Sequence, residues 1–534
     1  MRQIIVLAVV SAATVFASPG VAGAELVAPA SGLGTDYAAP LATGPGGRAL
    51  AIVPTSCPNC SGGSVAERGV SGHWTLGTFA PPDMFPALVA WEPGGAATLL
   101  TLANTATGGA DAFVVRRPAG AARFEGPVAV DLGGTVYDRV KAASDARGDL
   151  AFITAVRGSD SVVRAILVTA DRAGRFGAPQ RLAGASVESA AVAVGGGRVV
   201  VAYATRRGVY ARAGALGSPL GAAQLLVTTR DVREPAAAID DAGEATVAFS
   251  RRDKTSFEHA LVAARARPGD RFGAPMVLER RQADFGPVPH AAAAGTTTAL
   301  IWQTSFSDEP RVRAAIARGA GRFARPEIVS APGLGPNGLH GQPYQPTAAV
   351  APSGDVLLAY GYGGAAHATM RPADGRRFGP IHVISKLGGG GSPSVGVLSD
   401  GRPLVVYHGG RGELLATTHL TGPSPDLTPP RVVVKLSSDA REELRATNAV
   451  TVTVRCSEPC VLDTHASLRT HDGRTTADGV ARRLLRRGAS FTERFAFDPD
   501  KRAGRAGDGA HVSVTVQGQN ASGASSQPVR TIDL

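Results

Sequence analysis

An all-β fold is predicted by three features of this 534-residue sequence. Short apolar runs alternate with polar residues at a spacing of two rather than 3.6. Glycine (67) and proline (37) punctuate them, as many tight turns require. A unit of about fifty residues recurs from the N-terminal region to near residue 420, at a period typical of four-stranded blades. Residues 346–380 show the unit clearly. Ala348 and Val350 alternate up to a turn at Ser353-Gly354, and Val356-Leu357-Leu358-Ala359-Tyr360 returns. Two apolar runs joined by a glycine-containing turn read as a hairpin. A third run ends at Met370 and is followed by the turn Ala373-Asp374-Gly375. The segment Arg377-Phe378-Gly379-Pro380 then leads into a fourth run over 381–384.

The other units keep this grammar. Proline stands eight residues before the turn glycine in Pro86/Gly94, Pro235/Gly243, Pro287/Gly295, Pro346/Gly354 and Pro393/Gly401. Val140/Gly148 keeps the spacing without the proline. Six residues after the glycine stands an aromatic in Tyr203, Phe249, Tyr360 and Tyr407, with Trp302 displaced by one. The closing segment recurs around Phe124, Phe176, Phe272 and Phe323, and is reduced to Leu216-Gly217-Ser218-Pro219 in the fourth unit. Glycines 47, 94, 148, 197, 243, 295, 354 and 401 mark eight units. No blade buries both faces alone, so the units must stack and close into a ring. The expectation is a β-propeller of eight four-stranded blades, or seven if the weak first unit is not a full blade. The closing phenylalanines are expected to wedge between blades. The last unit lacks a fourth strand, which residues 25–27 are expected to supply.

Ahead of the ring, Arg2, an apolar run over 4–17 and Ala22-Gly23-Ala24 read as a secretory leader spanning 1–24, with the mature chain starting at Glu25. The apolar run is short for a membrane span. The first unit carries Cys57-Pro58-Asn59-Cys60; in an exported chain Cys57 and Cys60 read as a loop disulfide rather than a redox pair. Between units six and seven lies the longest insertion, APGLGPNGLHGQPYQ, bearing His340, Gln342 and Tyr344. It is the candidate binding loop, because insertions of this kind project from one face of a ring. Residues 421–430, with four prolines, form a linker between the ring (25–420) and a second domain (431–534). There the blade grammar stops. Alternating runs at 432–434, 450–454, 461–468, 491–497 and 512–516 suggest a β-sandwich. Cys456 and Cys460 are placed to form a local disulfide, and residues 482–487 read as a solvated, basic hairpin. Asp498, Asp500 and Asp508 do not have the spacing of a calcium loop.

The units at Pro235, Pro346 and Pro393, with their Arg-Phe-Gly-type closings, resemble blades of secreted bacterial sialidase-like β-propellers over residues 37–420. The Asp-box of sialidases is absent; Ser399-Asp400-Gly401 lacks its spacing and its tryptophan. The resemblance therefore implies architecture and no catalytic residues. The C-terminal part, with Pro429-Pro430 and the Cys456–Cys460 turn, is similar to bacterial Ig-like modules, which implies a spacer or an adhesive stalk.

Net charge is +11 and is spread along the chain. No basic stripe interleaved with aromatics points to nucleic acid. No HExxH, phosphate loop or nucleophile motif occurs, and Asp145, Asp240, Asp241, Asp355, Asp374 and Asp400 sit where turns use aspartate. No metal or cofactor is expected. The reading is a secreted or cell-surface binding and scaffold protein, monomeric, presenting propeller loops to an extracellular glycan, cell wall or protein partner. The alternative is a glycoside hydrolase or lyase acting on polysaccharide, which would need two carboxylates across a groove.

Overall fold

The structure, a computed structural model, describes residues 24–28, 39–53, 63–79, 84–92, 94–105, 109–121, 123–136, 141–145, 147–157, 163–171, 175–182, 187–228, 234–253, 258–282, 287–304, 311–330, 344–362, 364–386, 392–409, 413–426, 428, 430–469, 475–497, 511–520 and 525–533. Cys57, Cys60, His340, Gln342 and the aspartates at 498, 500 and 508 lie outside them.

Eight four-stranded antiparallel units are built in chain order. The innermost strands are Leu41–Thr43, Met84–Trp91, Lys141–Ser144, Ser189–Gly195, Ala236–Ile239, Val288–Ala294, Tyr344–Val350 and Ser394–Val397, and we number the blades 1 to 8 by them. Each touches the next, and Leu41–Thr43 touches Ser394–Val397, so the circle is complete. The first unit is a full sheet, which makes the ring eight-bladed. Blade 8 takes its outermost strand from the start of the chain. Ala24–Ala28 pairs antiparallel with Leu414–Thr417, Ala24 opposite Thr417 and Glu25 opposite Ala416. Blades 2 and 3 are joined further by Thr135–Val136, which pairs with a strand of each.

The turn glycines act as the sequence implies in seven of the eight units, where they have positive φ. In blade 2 the left-handed residue is Gly95 rather than Gly94. At Gly148 two constraints coincide. Its φ is +82°, and a Cβ would stand 2.8 Å from Cγ of Glu92 in the neighbouring blade. The aspartates beside these turns bond to backbone. Asp145 Oδ1 accepts from the N–H groups of Arg147 (2.9 Å) and Asp149 (3.0 Å). Asp240 Oδ1 accepts from Glu244 N at 2.9 Å and Asp355 Oδ1 from Ala373 N at 2.7 Å. Asp241 reaches the next blade and accepts from Gly295 N at 2.9 Å. Burial pushes the carboxyls of Asp145 and Asp240 up, against the pull of these N–H groups.

The closing phenylalanines do wedge between blades, each against the preceding one. Phe272 is 7% exposed and packs with Val200, Val209 and Leu226 of blade 4 as well as Val247 and Phe249 of its own blade. Phe124, Phe176, Phe323 and Phe378 occupy equivalent seams. In the degenerate fourth unit Leu220 fills the place. Cationic side chains add to two seams. Arg117 pairs with Glu67 of blade 1 at 2.5 Å and lies 5.1 Å from the Trp91 ring centroid. Arg265 pairs with Glu244 at 2.9 Å and stands over Phe323 of blade 6.

A second seam device was not anticipated from the sequence. The first residue of a blade's outermost strand reaches across to the closing segment of the next blade. Gln180 donates to Ser218 O and accepts from Leu220 N, both at 3.0 Å. Gln224 makes the same fork on Phe272, at 2.7 and 2.8 Å. Glu327 accepts from Phe378 N at 3.1 Å. His382 of blade 7 instead meets Gly422 O at 2.8 Å, and Val383 N donates to Pro423 O at 3.0 Å.

The linker is therefore bonded to the ring. It is bonded to the second domain too, where Asn520 Nδ2 donates to Asp426 O and Thr428 O, and Ser526 Oγ to Pro430 O at 2.6 Å. That domain is a two-sheet sandwich. Val432–Leu436, Ala449–Cys456 and Ser490–Ala496 form one sheet; Thr475–Leu485, Cys460–Arg469, His511–Gln519, Ser525–Ser526 and Val529–Asp533 form the other. One core of Val450, Val452, Val454, Leu462, Leu468, Val512 and Val514 lies between them. The Cys456–Cys460 disulfide is present and staples the corner where the chain leaves one sheet for the other. Two expectations change. Residues 482–485 continue a strand, and the turn after them carries the chain between sheets, so the basic stretch is not a hairpin. A helix, Ala440–Thr447, follows Asp439, carries Glu442 and Glu443 in its first turn and ends at the left-handed Asn448.

Two outcomes follow for the seam between blades 4 and 5. Phe272→Ala should cost about 3–5 kcal/mol in equilibrium unfolding, and a negligible change would remove the wedge role. Gln224→Leu should cost roughly 1–3 kcal/mol, because it leaves the Phe272 N–H and C=O without their partner; the midpoint of a urea titration reads this directly.

Candidate functional site

The innermost strands all begin on one face of the ring and end on the other. The turns that use aspartate lie on the second face, where those strands end. On the first face the chain arrives from the preceding blade, and here the described residues form a cavity of about 340 Å³. Lys141, the first residue of its strand, lines it with Ile153, Thr154 and Ala155 of the adjoining strand of blade 3. Glu188, Ser189 and Ala190 enter from the start of blade 4, and Glu234 from the approach to blade 5. Consecutive inner strands thus bring together residues far apart in sequence.

Two ion pairs shape its electrostatics. Lys141 Nζ lies 3.2 Å from Glu234 Oε2, and Arg206 Nε lies 3.7 Å from Glu188 Oε1. All four side chains are at least 43% exposed, so the pairs contribute little to stability. They leave each carboxylate beside a cation. Thr154 and Ser189 also line the cavity, with an apolar side of Ile153, Ala155, Ala165, Val187 and Ala190. Among the described residues that line it, none is aromatic.

Across the channel, on the innermost strand of blade 6, stands His290. The residue is exposed to water, yet protein crowds around it. That crowding, and then the Lys141 ammonium, push it down to about 4, while Glu234 pulls the other way. His290 is consequently neutral at pH 7.

Of the loop residues proposed from sequence, only Tyr344 is described, and only by its backbone. It opens the innermost strand of blade 7, paired with Gly361. Sequence reasoning missed Lys141, Glu188, Glu234 and His290. One signal was available. Lys141 is one of five lysines in the chain, and it follows Val140, where five of the other units have proline.

No protein-family model matches this sequence, and no curated protein matches it. Among solved structures the chain is similar to the BP39L lectin from Burkholderia pseudomallei, at 15% identity and a TM-score of 0.44, over 65% of this chain and 99% of that one. It is similar to an ulvan lyase, a polysaccharide lyase, at 12% identity and a TM-score of 0.39, over 63% of this chain and 92% of that one. It is also similar to the alpha-L-arabinanase of Penicillium chrysogenum, solved with arabinobiose, at 12% identity and a TM-score of 0.36, over 74% of this chain and 97% of that one. The ring is defined by its own strand pairing, independently of these proteins. It is an eight-bladed β-propeller with a polar cavity at one mouth of its channel.

His290 generates a pH prediction. Because its folded value lies below the ordinary value of about 6.5, the unfolded chain binds more protons between pH 4 and that value, and stability rises with pH across the window. His290→Gln should flatten this rise relative to the parent in urea titrations at pH 4.5 and 7; an unchanged difference would show that His290 titrates normally.

Proposed function

We propose that this is an exported, non-catalytic binding protein that takes a hydroxyl-rich ligand, a segment of an extracellular glycan, at the channel mouth. The sandwich then serves as an Ig-like spacer, and the insertion carrying His340, Gln342 and Tyr344 is a second candidate binding segment. The observation that carries the reading is the cavity itself. Its volume suits one or two sugar rings, on the scale of small-ligand pockets. Its ammonium, carboxylates and hydroxyls suit vicinal diols, and its apolar side suits the C–H face of a sugar.

A hydrolase or lyase has one observation in its favour, two carboxylates in one cavity. Both carboxylates are engaged in ion pairs, Glu234 with Lys141 and Glu188 with Arg206, which supports charged anchors for a ligand over a general-acid and nucleophile pair. Export is supported by the leader-like N-terminus and by the Cys456–Cys460 disulfide, a bond that persists in oxidising compartments.

The test is binding of the mature chain to a panel of glycans and cell-wall polymers at low and high salt. The expected result is binding to one glycan class that survives high salt and weakens about tenfold or more in Lys141→Ala and Glu234→Gln, as loss of hydrogen bonds to charged groups predicts. Binding that vanishes with salt would reduce the interaction to diffuse attraction by a basic surface. Depolymerisation of the bound glycan would establish the enzymatic reading instead.

A further inference from the structure

The strand that closes the ring is also the strand from which the leader must be cut. Ala22-Gly23-Ala24 places the scissile amide between Ala24 and Glu25. Both residues belong to the closing strand Ala24–Ala28 and are paired there with Thr417 and Ala416. From the other side, blade 1 grips Glu25. Trp74 Nε1 donates to Glu25 Oε2 at 3.1 Å, and Arg68 Nε lies 3.5 Å from the same oxygen. Arg68 is itself buried and donates to Gly47 O at 2.8 Å. Two and three residues further on, Val27 and Ala28 are buried in a core shared by blades 8 and 1. In the closed ring the scissile bond is thus held between a β-ladder and the neighbouring blade.

We propose that the leader is removed before the ring closes, and that Glu25, the first residue of the mature chain, then latches blade 8 to blade 1. The inference rests on the exported reading above and is independent of the ligand. Cleavage is a hydrolysis by a leader peptidase. Water adds across the Ala24–Glu25 amide, the carboxylate stays on the leader, and the ammonium appears on Glu25.

Two physical facts set the order. A protease cuts a segment it can draw out, so cleavage of a paired segment waits on local opening. Opening here means unzipping the ladder, withdrawing Val27 and Ala28 from the core and releasing Glu25 from Trp74 and Arg68. In addition, the partner strand Leu414–Thr417 lies about 390 residues further along the chain. A chain that crosses a membrane N-terminus first therefore has no partner for Ala24–Ala28 until almost the whole ring has followed. The topology keeps the cut site available during transit and shuts it afterwards.

The experiment uses the full-length precursor diluted from urea. Leader peptidase is present from the start of refolding in one arm and is added after refolding in the other, with intact mass as the readout. We expect a chain beginning at Glu25 in the first arm and cleavage at least tenfold slower in the second. Glu25→Ala, compared with its own first arm, should narrow that gap. Equal rates in the two arms of the parent would overturn the proposed order. An unchanged gap in Glu25→Ala would remove the latch role. If neither arm yields a chain starting at Glu25, the leader reading fails, and this inference with it.

Discussion

The ring depends on one pairing made across nearly the whole chain, Ala24–Ala28 against Leu414–Thr417. Seven blades are complete within continuous stretches of sequence, and each gains its second buried face only from a neighbour. An open arc would leave one face of its first and one of its last blade in water. Closure removes both exposed faces at once, at the entropic cost of a very long loop. That cost grows only logarithmically with length, whereas the apolar surface covered grows with the blade. This balance lets a short strand with modest side chains hold a ring of eight sheets.

Between blades, two kinds of contact share the work. The wedges supply apolar burial and tolerate exchange of phenylalanine for leucine, as Leu220 shows. The forked contacts of Gln180 and Gln224 satisfy backbone groups that the wedge would otherwise bury without partners. Met276 stands at the equivalent position of blade 5 and packs against the neighbouring cluster. The ring therefore uses polar and apolar solutions at the same place, according to what the next blade presents.

The blades were legible in the sequence because their demands are local. A positive φ selects glycine, an antiparallel strand selects alternation, and a seam selects a large apolar side chain at a fixed offset. In blade 2 the adjacent Gly94 and Gly95 cannot be told apart by spacing, and Gly95 takes the left-handed turn. The seam forks were not legible, since glutamine, glutamate and histidine all serve a backbone partner and leave no common letter. The helix Ala440–Thr447 was hidden among strands, although Glu442, Glu443 and Asn448 are ordinary helix-end signals. The candidate site was the least legible part. Lys141, Glu188 and Glu234 belong to three blades, and only the curvature of the ring brings them to one cavity.

The doubly bonded linker has a mechanical consequence. Among the described residues, Ser424 and Pro425 separate Pro423, which is bonded to the ring, from Asp426, which is bonded to the sandwich. If the sandwich is fixed to a surface and the ring is dragged by a captured polymer, tension enters the ring at the outer edge of blade 7, through Gly422 and Pro423. It does not act first on Ala24–Ala28. The closing strand is thus off the pulling axis, and the bonds loaded first are two edge contacts whose loss leaves the circle of blades intact.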